Sequence, residues 1–245
     1  MAQLGGHALF LSSQDLQLRR GETVADTARV LGRYVDGIMA RTYAHADVEE
    51  LARWSGVPVI NGLSDLHHPC QALADLLTIQ EKKGRLAGIR LAYLGDSNNV
   101  TNSLMQAGAI VGMQVRVGSP PGYQPAPDMM ASVRPLAAQS GAEIRVVEDP
   151  AAAVRDADVV YTDTWASMGQ EAEHEQRVRA LGAYQVNAKL FCQAAGDALF
   201  MHCLPAHRGE EVTDEVLDGP HSVVVDQAEN RLHAQKALLA LLMAR

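Results

Sequence analysis

The chain has 245 residues, 47% of them hydrophobic and 20% charged, with a formal net charge of −8. That length fits one large or two small domains with a real buried core. An acidic balance without a Lys/Arg run speaks against nucleic acid and anionic membrane as partners.

The cysteines Cys70, Cys192 and Cys203 are odd in number and widely spaced. They form neither a disulfide framework nor a zinc framework, and a reducing cytoplasm is the expected compartment. The opening segment MAQLGGHALFLSS has no basic region and no long apolar run, so no signal peptide is expected. No apolar stretch is long enough to cross a bilayer.

Short apolar runs alternate with helical patterns along the chain. A strand is expected at 8–11, then a helix with Val24, Ala28 and Leu31 on one face, then strands at 37–40 and 57–60. Pro69 suits the first turn of the next helix, whose Leu73, Leu76, Leu77 and Gln80 follow at helical spacing. Beyond it come a strand at 89–94, a helix at 99–112, a strand at 114–117, a helix at 127–139 and a strand at 143–147. A helix at 151–156 and strands at 159–162, 199–202 and 222–225 follow, and a helix at 226–245 closes the chain. Most of these strands are continuous apolar runs, as expected of parallel strands covered on both faces. Alternating strand and helix argues for α/β architecture in three layers. The segment GRLAGIR interrupts the pattern. It divides the chain into a smaller unit, 1–85, and a larger one, 86–245, with the last helix packing back on the first.

Ligands of open α/β sheets bind beyond the carboxyl ends of the strands. The polar residues there are Arg41, His68 with Gln71, Asn98 with Asn99, Asp163 and Cys203. Together they offer a cation, an imidazole, amides, a carboxylate and a thiol, a set suited to a small zwitterion plus a carbonyl and an anion. His68 stands at a helix N-terminus, where backbone N–H groups favour negative ligands. Gln71 lies three residues on, so imidazole and amide can bind a carbonyl oxygen and an NH2 group together. Each segment also has a plainer reading, as a helix cap, a turn or a structural loop. Gly95-Asp96-Ser97-Asn98-Asn99 lacks the glycine fingerprint of a dinucleotide site. His202-Cys203-Leu204-Pro205 followed by His207 lacks the spacing of a metal site. No metal and no organic cofactor is expected.

In series, these segments resemble the transcarbamylase superfamily, and within it the ornithine carbamoyltransferases. The resemblance is carried by Ala40-Arg41-Thr42, His68-Pro69-Cys70-Gln71, Gly95-Asp96-Ser97-Asn98-Asn99, Asp163-Thr164-Trp165-Ala166-Ser167-Met168-Gly169, His202-Cys203-Leu204-Pro205 and Ala228-Glu229-Asn230-Arg231. It implies two α/β domains with mainly parallel sheets, the first binding carbamoyl phosphate and the second ornithine. It also implies transfer of the carbamoyl group to the ornithine δ-amine, giving citrulline and phosphate, by a homotrimer. Under this resemblance Arg41 pairs with phosphate and carbonyl, His68 donates to the carbonyl oxygen, and Gln71 holds the carbamoyl amide. Gln17 reaches carbamoyl phosphate in a neighbouring subunit. Asn99, Asp163, Ser167 and Met168 bind ornithine, Cys203 and Leu204 line the reacting centre, and Arg231 completes the electropositive clamp.

The chain departs from the family pattern in two places. The family carries a Ser-x-Arg-Thr-Arg phosphate loop upstream of Leu-Gly-Gly-His. Here Leu4-Gly5-Gly6-His7 opens the chain and no such loop occurs. Arg19 also stands where the family often has glycine. The expectation is an N-terminally incomplete first domain, and a chain that is weakly active and prone to aggregate alone. Two further readings stay open on these residues. One is a sister transcarbamylase using putrescine or an acylated ornithine, and the other a non-catalytic ornithine-binding protein.

Overall fold

The computed structural model describes residues 1–12, 21–166 and 171–243. The first elements are helix α1 (Val24–Leu31), strand β1 (Ile38–Arg41), helix α2 (His45–Trp54), strand β2 (Val59–Leu63) and helix α3 (Pro69–Lys83). Strands β1 and β2 pair in parallel. Thr23 caps α1 by accepting the Asp26 N–H. Pro69 occupies the first turn of α3, and Gly84 ends it at φ 72°, a left-handed conformation that glycine adopts without strain.

The larger sheet uses β3 (Arg90–Leu94), β4 (Gln114–Gly118), β5 (Glu143–Val147), β6 (Val159–Thr162) and β7 (Leu199–His202). Between these strands run α4 (Asn99–Val111), α5 (Pro127–Ser140) and α6 (Pro150–Val154), then α7 (His174–Leu181) and α8 (Ala188–Phe191). Helices α9 (Asp214–Leu217) and α10 (Val224–Met243) follow β7. The spatial order is β5-β4-β3-β6-β7, with every pairing parallel. Alternate residues serve opposite faces. Leu91, Tyr93, Val159, Tyr161 and Met201 pack on one side with Leu104 and Met105 of α4. Ala92, Leu94, Val160 and Phe200 pack on the other with Leu181, Val186 and Val216. This is the three-layer α/β arrangement expected from uninterrupted apolar strands.

Two expected strands are not formed. Residues 8–11 pair with no strand among the described residues, and Phe10 is 92% exposed. An apolar run becomes a strand only where another edge receives its N–H and C=O groups. The run 222–225 makes an isolated bridge at Ser222 and then turns into α10. Val223 donates its N–H to Phe200 O, and its own carbonyl accepts the Gln227 N–H as the first helical bond. Tertiary packing thus overrides the β-propensity of the valines. Helix α2 and the short helices α7 to α9 were not anticipated. Helix α2 is rich in charged residues and buries only Val48, α7 is likewise charged, and α8 and α9 are four residues long.

Two features of this fold create a site. First, the chain leaves β3 towards β4 and β5, then returns to lay β6 on the other side of β3. The crevice where strand order reverses, at the carboxyl ends of β3 and β6, is where such sheets bind ligands. Second, α10 packs along α3 through buried polar contacts. Asn230 donates to Thr78 Oγ1 (3.0 Å), and Gln227 donates to Asp75 Oδ1 (2.7 Å).

Candidate active site

The turn after β3 begins at Gly95, whose φ of 130° only glycine adopts readily. It delivers Asn98 to the N-terminus of α4, where its side-chain oxygen accepts the N–H groups of Val100 (2.9 Å) and Thr101 (3.2 Å). With that oxygen committed, the Asn98 amide nitrogen points across the crevice and donates to Asp163 Oδ2 (2.6 Å). Asp163 stands just past β6 and is buried. Its Oδ1 accepts the Thr164 N–H (2.8 Å) and the Cys203 thiol (3.0 Å). Burial, then the Asp163 carboxylate, push the Cys203 thiol well above its ordinary range. Cys203 is therefore a protonated hydrogen-bond donor, not a thiolate nucleophile.

The loop carrying Cys203 is held from beneath. His202 Nδ1 accepts the Leu204 N–H (2.9 Å), which places the ring proton on Nε2, facing Glu211 Oε1 (3.2 Å). The His202 and Glu211 side chains are both fully buried, and Glu211 Oε1 also takes the His207 N–H (2.5 Å). Leu204 is left-handed at φ 56°. Such a conformation costs a non-glycine residue about 1 kcal/mol or more and persists where its surroundings enforce it. Asp163, His202 and Cys203 lie close enough to suggest a metal trio. Both His202 ring nitrogens are already bonded, however, so the trio offers no free imidazole.

A second group gathers at the start of α3. His68 is the N-cap residue, buried, with its backbone N–H on Ser103 Oγ (2.7 Å). Burial, then the positive charges of Arg231 and Arg41, lower its pKa to about 4. The imidazole is neutral at pH 7 and keeps one N–H to donate. Gln71 is nearly inaccessible. Its Nε2 donates to Asp75 Oδ1 (2.8 Å), and its Oε1 accepts from Arg231 Nη1 (2.6 Å). Arg41, at the end of β1, is brought near enough to act on His68. A bonded path joins the two groups: Gln71 to Asp75, Asp75 to Gln227, and Gln227 Oε1 to the His202 N–H (3.0 Å).

His68 makes a direct prediction. Its imidazole stays neutral from pH 8 down to pH 5.5, so its ring resonances do not titrate in that range by NMR. A midpoint near 6.5 would contradict the burial described. In the unfolded chain the same ring protonates near 6.5. Between about 6.5 and 4 the unfolded state therefore binds the extra proton, and this contribution to stability is lost as pH falls, by up to about 3 kcal/mol. Asp75 has the opposite slope. Burial pushes its pKa up to about 7 despite hydrogen bonds from Gln71, Gln227 and Tyr161. The unfolded chain releases that proton first, so the Asp75 contribution is lost as pH rises from about 4 to 7.

Of the residues expected to form a site, the fold groups His68, Gln71 and Arg231, with Arg41 near, and separately Asp163 and Cys203 with the Leu204 backbone. Asn99 is placed differently from Asn98: its amide donates to Ser64 O (2.6 Å), tying α4 to the loop after β2. Gln17, Ser167 and Met168 lie outside the described residues. Several contributors were missed. Arg177 is buried and pairs with Asp96 (2.5 Å) and Glu173 (3.0 Å), and it donates to Trp165 O (3.1 Å). It thereby fastens the loop after β6 to the loop after β3. Asp75, Gln227, His202 and Glu211 were also missed as parts of the site. Asp75 had one local signal, four residues beyond Gln71 on the same helical face.

Two family models cover most of the chain. Residues 1–81 match the carbamoyl-P binding domain of aspartate/ornithine carbamoyltransferase, and residues 87–242 match its Asp/Orn binding domain. The chain belongs to the aspartate/ornithine carbamoyltransferase family. It is 63% identical over 243 residues to the ornithine carbamoyltransferase of Pyrococcus horikoshii, covering 99% of this chain and 77% of that protein. It is likewise 63% identical to the anabolic ornithine carbamoyltransferase of Pyrococcus furiosus, again over 99% of this chain and 77% of the relative. The solved structure of the Pyrococcus furiosus enzyme superposes with a TM-score of 0.95 at 62% identity, over 99% of this chain and 78% of that one. The anabolic ornithine carbamoyltransferase of Campylobacter jejuni gives a TM-score of 0.93 at 45% identity, over 98% and 80%. Arg41, His68 and Gln71 of the first group lie in the first family-model segment and are joined there by Arg231 of the second, while Asp163, Cys203 and Leu204 all lie in the second. The connecting α10 belongs to the second segment but bonds to the first.

Proposed function

We propose that this chain transfers the carbamoyl group of carbamoyl phosphate to the δ-amine of L-ornithine, giving L-citrulline and phosphate. The observation that carries this reading is the bonded path from Gln71 through Asp75 and Gln227 to the backbone beside Cys203. It holds an amide recognition group and a thiol–carboxylate pair in one frame, with arginines and a neutral imidazole but no thiolate nucleophile.

In this reading residues 1–85 bind carbamoyl phosphate and residues 86–245 bind ornithine, the last helix closing over the first unit. Arg41 and Arg231 attract the phosphate and polarise the carbonyl, and Gln17 contributes from a neighbouring subunit. The neutral His68 N–H donates to the carbonyl oxygen. Gln71 Oε1 accepts from the carbamoyl NH2. Asn99, Asp163, Ser167 and Met168 hold the amino acid, while Cys203 and the Leu204 backbone line the reacting centre. The deprotonated δ-nitrogen attacks the carbonyl carbon. The resulting oxyanion is stabilised by His68, Arg41 and Arg231. The C–O bond to phosphate then breaks, and phosphate leaves with the proton the amine gives up. The assembly is a homotrimer acting in the cytoplasm in arginine biosynthesis. The anabolic name of the Pyrococcus furiosus relative supports that role.

Incubation of the protein with carbamoyl phosphate and ornithine tests this. Citrulline and phosphate are expected in equal amounts, with ornithine preferred over putrescine. Preference for putrescine, or ornithine binding without turnover, rejects the reading.

A further inference from the structure

Behind Gln71, helix α3 buries a carboxylate that none of the steps above uses. Asp75 is 0% exposed. It sits four residues after Gln71, on the same helical face. Burying a carboxylate is costly unless its hydrogen bonds are made. Here the contacts are specific: Oδ1 accepts Gln71 Nε2 at 2.8 Å and Gln227 Nε2 at 2.7 Å. Oδ1 accepts whether or not a proton sits on the other oxygen, Oδ2, which has no partner among the described residues, so each amide turns its NH2 towards Asp75. The other end of Gln71 is fixed by the complementary constraint. Arg231, a donor without an acceptor, bonds Gln71 Oε1 at 2.6 Å. An acceptor at one end and a donor at the other leave Gln71 a single amide orientation, with its oxygen towards Arg231. Gln227 is fixed in the same way, its Oε1 on the His202 N–H.

We propose that Asp75 is a positioning residue that sets selectivity for the carbamoyl group. By locking the Gln71 amide, it presents an oxygen, and not an NH2, to the transferred group. A carbamoyl NH2 can donate to that oxygen, whereas the methyl group of acetyl phosphate cannot. A site that hydrogen-bonds a substrate N–H rejects the analogue lacking it, because its own polar group is then left unpaired. This inference rests on the carbamoyl-transfer reading.

The test compares Asp75→Leu, which removes the acceptor, with Asp75→Asn, whose side-chain oxygen can still accept both amides. Calorimetry gives the ratio of acetyl phosphate Kd to carbamoyl phosphate Kd for each variant and for the unaltered protein. The ratio is expected to fall about tenfold or more in Asp75→Leu and to stay within about threefold in Asp75→Asn. If Asp75→Leu does not fold, Asp75→Ala makes the same comparison. A folded acceptor-less variant with an unchanged ratio overturns the proposal. So does an equal loss in Asp75→Asn, which would trace the effect to charge and not to the acceptor. The two readings fail separately. If the unaltered protein forms no citrulline, the carbamoyl-transfer reading fails; if it does and the ratios do not move, only the role of Asp75 fails.

Discussion

Asp163→Asn is expected to lower kcat/KM for ornithine by about 10- to 100-fold, with the KM for carbamoyl phosphate changed by less than about threefold. The substitution is nearly isosteric, so the effect comes from hydrogen-bond direction and charge. Asp163 accepts on both oxygens, from Thr164 and Cys203 on one and from Asn98 on the other. An asparagine keeps one acceptor and turns a donor towards the second position, where Asn98 already presents its own NH2. Asn98 cannot rotate to relieve the conflict without withdrawing its oxygen from the N–H groups of Val100 and Thr101, which would uncap α4. Loss of an N-cap costs about 1 kcal/mol. Loss of a charge-assisted hydrogen bond to an ammonium group costs about 1.5–3 kcal/mol. The first lowers stability, while the second acts on the barrier and amounts to roughly one to two orders of magnitude in rate. Steady-state kinetics with ornithine varied at saturating carbamoyl phosphate measures it. A kcat/KM within threefold of the unaltered protein would remove Asp163 from the amino-acid site.

The second large effect concerns stability. Glu211→Leu is expected to destabilise the fold by about 3–5 kcal/mol, whereas Glu211→Gln costs less than about 1 kcal/mol. Leucine removes the oxygen that takes both the His202 ring N–H and the His207 backbone N–H. It leaves two donors unpaired in a region where the His202 side chain has no access to water. Breaking a buried pair from one side is costly for that reason. Glutamine keeps the oxygen. Its NH2 replaces Glu211 Oε2, an atom with no hydrogen bond among the described residues and 3.7 Å from His207 Nδ1. For a chain of this length the difference corresponds to a melting temperature lower by roughly 6–20 °C for leucine than for the unaltered protein. The loop follows the pair. Once His202 Nδ1 no longer holds the Leu204 N–H, Cys203 moves away from Asp163, and kcat falls in Glu211→Leu well beyond its fall in Glu211→Gln. Thermal unfolding of both variants, monitored by circular dichroism, decides it. Equal melting temperatures would show that Glu211 carries no structural weight.

Much of the site was legible because its chemistry is written in contiguous segments. His68-Pro69-Cys70-Gln71 announces a helix N-terminus, and the turn at Gly95 with its Asn cap announces another. The uninterrupted apolar strands before them announce a parallel sheet. These signals are local: a proline in a first helical turn, a capping side chain or a strand covered on both faces leaves its mark within a few residues. The strands expected at 8–11 and 222–225 failed for the same reason in reverse. Their local composition suited a strand, but one finds no partner edge among the described residues and the other is drawn into α10 by the Val223–Gln227 bond.

What the sequence determined by itself, then, was the alternation of elements, the sheet type, the motif residues and the family they resemble. What only the tertiary structure decided was which side chains those residues lean on. Arg231 reaches Gln71, Gln227 reaches Asp75, and Arg177 reaches Asp96. Each of these pairs joins elements far apart in the chain, and Asp75, Gln227 and Arg177 look locally like ordinary polar residues on a helix. Burial is what makes them matter. Removed from water, an amide or a carboxylate must find a partner, and the packing of α10 on α3 and the reversal of strand order beside β3 choose which partner it finds.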